Sequence, residues 1–189
     1  MSDKEPLSYY LSRWQKYQTI DEIEFIKKCV GMSLDETRLW DNPISFVNIG
    51  AGAGTSTSAI LEATKEGVVF SVDIEAIGSE IYTNEHLRFA EAGVGLDGRV
   101  IRIWGDSKIV GLKWPILNNL VLVDGGHEEH EISGDISVWL PTLKDGGLIL
   151  FHDYNSRYWP KVKEVIDAQM FNYQYVGLVD TMIGFRVRR

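Results

Sequence analysis

The sequence predicts an α/β protein: a doubly wound, mostly parallel seven-stranded sheet, with helices ahead of it and an antiparallel hairpin at the C-terminus. Three observations carry this. Short runs rich in β-branched and aromatic residues alternate with helix-compatible stretches from Ile44 to Met170, the pattern of parallel strands joined by crossover helices. The first run, Phe46-Val47-Asn48-Ile49, opens into Gly50-Ala51-Gly52-Ala53-Gly54-Thr55-Ser56. That is a strand, a tight turn and a helix start, with glycine where backbone must turn sharply or lie against a ligand. Four successive strands end in an acid, Asp73, Asp106, Asp124 and Asp153, and ligands of open α/β sheets bind outside the carboxyl ends of the strands.

Composition bounds the rest. The chain has 189 residues, 44% hydrophobic and 24% charged, which suits one compact domain with a sizeable core. A net charge of −8 argues against a nucleic-acid partner, because neutralising phosphates needs clustered Lys and Arg. The basic end, Arg186, Arg188 and Arg189, is too short for a nucleic-acid tail and reads as charges guarding an edge strand. The single cysteine, Cys29, can form neither an internal disulfide nor a zinc site and reads as core. Met1 to Pro6 lacks a signal-peptide apolar region. No apolar run approaches the ~18 residues of a membrane span. A cytoplasmic protein without a membrane partner is expected.

In chain order, Leu7, Tyr10, Leu11, Trp14 and Tyr17 fall near helical spacing. A second helix follows Thr19, with Asp21, Glu22 and Glu24 where the helix dipole favours acids and Gly31 as its stop. Residues 1–40 thus read as an N-terminal helical cover, or as a lid with Tyr9, Tyr10, Trp14 and Tyr17 on a substrate pocket. Residues 41–189 read as the sheet domain. Strand 44–49 leads to helix 56–65, strand 68–72, a helix over about 79–92, strand 99–104 and strand 119–123. Helix 129–140, a turn at Lys144-Asp145-Gly146-Gly147, strand 148–152 and helix 157–170 follow. Tyr173–Val179 and Met182–Val187 form a hairpin turning at Asp180-Thr181. The whole is Rossmann-like.

Gly50, Gly52 and Gly54 are spaced G-x-G-x-G, one residue short of the G-x-G-x-x-G dinucleotide fingerprint. Asp73, about twenty residues on, is placed to accept both hydroxyls of a ribose. Asp106, with Ser107, is placed to accept from an adenine amino group. His127-Glu128-Glu129-His130 is not a zinc-protease motif, because H-E-x-x-H needs its second histidine where Glu131 stands. His130 reads as a surface residue.

The set N-I-G-A-G-A-G-T-S, S-V-D, G-D-S, V-D-G-G-H and K-D-G-G-L-I-L-F-H-D-Y resembles the class I S-adenosylmethionine (SAM)-dependent methyltransferases. It is most similar to the small-molecule O-methyltransferase branch, over residues 44–155. The resemblance implies SAM as cofactor, held by Asn48, Gly50, Ala51, Gly52, Gly54, Asp73, Asp106, Ser107 and Asp124. It implies a small-molecule methyl acceptor, and it is compatible with a homo-oligomer. Relatives commonly have an acid where Asn48 stands, a second Asp where Gly126 stands and an aromatic residue where Glu129 stands. Acids at the ends of strands four and five hold a divalent cation such as Mg²⁺ in some relatives. Here Asp124 and Asp153 are candidate ligands, with His152 in a place where metal-dependent relatives often have an acid. The catalytic candidates are His127 as general base, His152 as second choice, and Asp124. His127 could instead cap the following helix or orient Asp124. Two other readings stay open: a SAM-binding protein without turnover, and a nicotinamide-dependent oxidoreductase.

Overall fold

The computed structural model describes residues 5–15, 17–37, 43–74 and 98–189. The helix expected over about 79–92 and the boundary expected near residue 40 lie outside the described residues. Helices α1 (Leu7–Gln15) and α2 (Ile20–Thr37) precede β1 (Ser45–Ile49), α3 (Thr55–Ala63) and β2 (Val68–Asp73). Then come β3 (Val100–Trp104), α4 (Ser107–Gly111), β4 (Asn118–Val123) and α5 (Glu129–Trp139). The chain ends with β5 (Leu143–Phe151), α6 (Pro160–Met170), β6 (Gln174–Val179) and β7 (Met182–Arg186).

One seven-stranded sheet runs in the order β3-β2-β1-β4-β5-β7-β6. Strands β1 to β5 are parallel, and β7 is antiparallel to both its neighbours. Every residue of β1 and β4 is buried, because helices cover both faces of a parallel sheet. Alternation sorts the side chains. Val47, Ile49, Val121, Val123, Ile149 and Phe151 pack with Ile136 and Trp139 of α5 and Val162 and Ile166 of α6. Phe46, Leu120, Leu122, Leu148 and Leu150 pack on the other face with Ile23, Ile26, Cys29 and Val30 of α2 and Ile60 of α3. Burial pushes the Cys29 thiol up to about 12. Strand order reverses at β1, between β2 and β4. Main-chain hydrogen bonds continue the ladder past the strand ends, from Gly50 N–H to Val72, Asp124 N–H to Ile49 and His152 N–H to Val123. They bring these termini level on one rim.

Three expectations are corrected. Helix α2 does not stop at Gly31 but runs to Thr37. Its buried stripe continues through Ser33, Leu34 and Thr37, and packing outweighs the ~1 kcal/mol that glycine costs in a helix. The run Lys144 to Gly147 is not a free turn but the irregular start of β5: Asn118 pairs with Leu143, and Leu120 with Leu148. Lys144 is buried, and its Nζ donates to Pro43 O and to Asn119 Oδ1, both at 3.0 Å. Gly146 supplies a φ of +83°. Finally, Arg186 does not guard an edge, because β7 lies between β5 and β6. It is buried and donates to Gly146 O at 2.9 Å, while Arg188 pairs with Glu36 at 3.0 Å.

Gly31 is exposed, and a Cβ there would meet nothing within 4 Å. Gly31→Ala should therefore raise the unfolding free energy by ~0.5–1 kcal/mol. A loss of stability in denaturant titration would contradict the helical reading of that position.

Candidate active site

The reversal at β1 opens a cavity of about 830 Å³ along the rim, within the size range of small-molecule sites. Gly50 forms its floor. A Cβ on Gly50 would lie 1.9 Å from the carbonyl oxygen of Asp124, so only glycine lets β1 and β4 end side by side. Gly52 N–H donates to Asp73 Oδ2 at 2.9 Å, which ties the glycine loop to the end of β2. Burial raises the Asp73 pKa, opposed by the N–H groups of Gly52, Ile74 and Ala51. Gly54 caps α3 at φ +89° without a side-chain cap.

Gly50, Gly52, Asp73, Ser107 and Asp124 line the cavity. The other expected cofactor residues are placed elsewhere. Asn48 is fully buried and donates through Nδ2 to Thr57 Oγ1 at 3.0 Å, because alternation along β1 turns it toward the α3 face. Ala51 and Gly54 are buried and shape the loop, Gly54 N–H donating to Ala51 O at 2.8 Å. Asp106 is a helix cap. Its Oδ1 accepts from Lys108 N–H at 2.9 Å and pairs with Lys108 Nζ at 3.0 Å, and the Lys108 ammonium holds it below the usual carboxylate range. The acid on this part of the wall is Asp135 of α5, which accepts from Ser107 Oγ. Burial raises its pKa, against the Ser107 hydrogen bond.

The place of the second Asp is filled from α5. A Cβ on Gly126 would lie 2.3 Å from the carboxylate of Glu131. Glu131 also accepts from Glu128 N–H at 3.0 Å, closing a capping box with Glu128 at the start of α5. His127 therefore does not cap that helix. Its Nε2 lies 2.9 Å from Asp153 Oδ2, and its ring stacks on Trp159 at 4.4 Å between centroids. His130 is exposed.

His152 is the centre of the rim. It is 8% exposed. Nδ1 lies 3.0 Å from Asp124 Oδ1 and 3.3 Å from Asp153 Oδ2, and Nε2 lies 3.3 Å from Glu22 Oε2. Burial opposes charge on the ring, but the three carboxylates outweigh it and hold the imidazolium well above its usual range. Burial likewise opposes charge on Asp153 and Glu22, and the histidines hold both below the usual range. Asp153 has a left-handed backbone, φ 59°, a conformation that costs energy for a non-glycine residue and recurs at functional sites. Asp124 and Asp153 both reach His152 Nδ1, so they share one site rather than facing opposite sides of the sheet. Asp124, His152 and Asp153 together offer three ligand atoms within 4.8 Å of one another.

Sequence reasoning missed two members of this cluster. Glu22, 1% exposed, also accepts from Thr181 N–H and Oγ1 in the β6–β7 turn. The pattern Thr19-x-x-Glu22 is a capping-box signal, and both of its hydrogen bonds are present, but it does not announce a contact with His152. Gln18 donates to Asp124 Oδ2 at 3.0 Å and carried no sequence signal. Of the four aromatic residues considered for a lid, Tyr17 lines the cavity, whereas Tyr9 donates to Glu24. The side chain of Trp14 lies outside the described residues.

A family described as a methyltransferase domain matches residues 47–154, more than half of the chain. The chain belongs to that family. No curated protein sequence matches it. Among solved structures, the O-methyltransferase NovP is 17% identical, with a TM-score of 0.64 over 90% of this chain and 81% of that one. An SAH-bound methyltransferase of Podospora anserina, PaMTH1, is 15% identical, with a TM-score of 0.71 over 98% and 89%. The SAM complex of the O-methyltransferase TomG from Streptomyces achromogenes is 14% identical, with a TM-score of 0.68 over 100% and 92%. At such identities the likeness shows a shared fold. With the family match, it makes this chain a class I SAM-dependent methyltransferase and sets the nicotinamide oxidoreductase reading aside. Among the described residues no helix is long and apolar enough to cross a membrane.

The folded pKa of His152 lies above its unfolded value of about 6.5. The stability this contributes is complete below that pH and is lost as the pH rises toward the folded value. With chelator present, urea unfolding between about pH 6 and 9 should show stability falling with pH, and His152→Gln should remove most of the slope. A flat or rising wild-type profile contradicts the arrangement.

Proposed function

We propose that this enzyme transfers a methyl group from SAM to a hydroxyl oxygen of a small acceptor. The observation that carries the reading is one cavity with two chemically different ends, Asp73 on the glycine loop at one and the His127–Asp153 pair at the other. The cavity fits SAM. Gly50 leaves a cradle that any side chain would fill, and one Asp73 oxygen is anchored by Gly52 while the carboxylate faces the cavity. In this reading Asp73 accepts from the ribose, and Ser107 with Asp135 borders the adenine. That NovP and TomG are O-methyltransferases supports oxygen as the acceptor atom.

SAM, when bound, supplies a methyl already activated on a sulfonium. The protein must then hold the acceptor oxygen in line and take its proton. His127 is placed for the second task. With Nε2–H donating to Asp153, Nδ1 keeps its lone pair and can accept the acceptor's hydroxyl proton. Asp153 fixes that tautomer and Trp159 fixes the ring plane. His152 suits the task less, because both of its nitrogens face carboxylates. It is better cast as the group that positions Asp124 and Asp153.

The donor set also fits a divalent cation. Two carboxylates and an imidazole nitrogen converge, and Glu22 stands behind the ring as an outer carboxylate does in many metal sites. Asp124, Asp153 and, once its Nδ1 proton is displaced, His152 would hold it, and it would lower the pKa of the acceptor hydroxyl and fix its oxygen.

Calorimetry should show SAH binding and NAD⁺ not binding. Asp73→Ala should weaken SAH binding by ~1.5–3 kcal/mol in a folded protein. Unchanged affinity would remove Asp73 from the ribose. Once an acceptor is found, His127→Ala should cost on the order of 10²–10⁴ in rate with SAH affinity kept. If a metal acts, EDTA and Asp153→Asn should abolish transfer. Tight SAH binding without transfer to a broad panel of hydroxylated acceptors would favour a SAM-binding protein without turnover.

A further inference from the structure

The cavity wall on the β3 side carries a carboxylate that is only half satisfied. Asp135 of α5 is 2% exposed, yet it lines the cavity together with Gly105, Ser107 and Gly125. Its Oδ1 accepts from Ser107 Oγ. Its Oδ2 meets no donor among the described residues. Nor is Oδ2 sealed inside the protein, as the partnerless oxygens of Gln18 and Asn48 are. It opens beside Gly125, where a Cβ would stand 3.7 Å from it. Lys108, the cation on this wall, gives its ammonium to Asp106 at 3.0 Å rather than to Asp135. Burying a carboxylate oxygen without a donor is costly, and such an exception in a native structure calls for an explanation.

The connectivity of the cofactor supplies one. The base and the sulfur leave a ribose from opposite sides of its ring. With the ribose at Asp73 and the sulfur toward His127 and Asp153, the base lies along β3, which neighbours β2. The cavity is lined there by Gly105, Ser107, Lys108 and Asp135. Three ring nitrogens on the edges of adenine, N1, N3 and N7, can only accept. The exocyclic amino group is its one donor. An ionised carboxylate also only accepts, so Oδ2 can serve the amino group and no ring nitrogen. Asp106, the other acid on this side, turns Oδ1 to the backbone and ammonium of Lys108 and does not line the cavity.

We propose that Asp135 Oδ2 accepts a hydrogen bond from the exocyclic amino group of the cofactor's adenine, with Ser107 Oγ fixing the carboxylate through Oδ1, so that α5 selects adenine over purines without that amino group. This rests on the SAM reading above and deepens it.

The test uses the full chain and two ligands, SAH and its 6-desamino analogue, in which purine replaces adenine. The analogue keeps the ribose, thioether and amino-acid end and lacks only the exocyclic amino group. By calorimetry, the wild type should prefer SAH by roughly 10–100-fold, the scale of a hydrogen bond to a charged group. Asp135→Ala should shrink that preference to less than about threefold. It should bind the analogue at least as tightly as the wild type does, because the analogue leaves Oδ2 of the wild type without a donor. Should Asp135→Ala not melt cooperatively, Asp135→Leu carries the same comparison. Equal wild-type binding of the two ligands overturns the proposal. So does a full preference surviving in Asp135→Ala, or an equal loss of both ligands, the mark of a merely structural role. Wild-type protein that binds neither ligand overturns the SAM reading itself, an outcome distinct from the others.

Discussion

One buried ring holds the rim together. His152 meets Asp124 from β4, Asp153 beside it at the end of β5, and Glu22 from α2, and Glu22 in turn holds Thr181 between β6 and β7. Segments far apart in the chain converge on two nitrogens. Taking charges out of water is costly unless each is paired, and here the pairing is mutual: the acids keep the ring protonated, and the ring keeps Asp153 and Glu22 ionised. Removing any one member leaves buried charge uncompensated, so the cluster specifies its own geometry. Asp124 and Asp153 face the cavity beside the ring, while Glu22 stays buried behind it.

The same cluster explains how a shared fold is given a particular chemistry. The sheet supplies the rim and the glycine loop, and in the proposed reading these seat the nucleoside. In the proposed reading the chemistry at the other end falls to His127, whose ring Asp153 and Trp159 hold in place. Asp153 serves both rings, with Oδ2 within reach of each, so its left-handed backbone is held by contacts on two sides. The two histidines are thereby coupled through one carboxylate.

The architecture was legible because it is written locally. Alternating apolar runs and turn glycines mark each strand, and the acids ending β2, β4 and β5 fall on the rim because successive parallel strands end on the same side. The errors arose where a long-range contact overrode a local signal. Gly31 looks like a helix stop until the sheet face beneath α2 is known. Lys144 to Gly147 looks like a turn because nothing in sequence shows a lysine reaching Asn119. Asn48 is turned away from the cavity by strand alternation, a rule that could have been applied with the face assignment of β1 in hand. Gln18, Glu22, Glu131 and Asp135 gave no warning, because their significance lies wholly in partners distant in the chain or in the geometry of a helix start.

The central claim is that one cavity binds the nucleoside at Asp73 and presents the reacting sulfur to the His127–Asp153 wall. A crystal structure with SAH tests it most directly. The account predicts both ribose hydroxyls on Asp73 and the sulfur facing His127, with no side chain between them. Adenosine bound at the Trp159 end, or a sulfur turned toward β3, would contradict it.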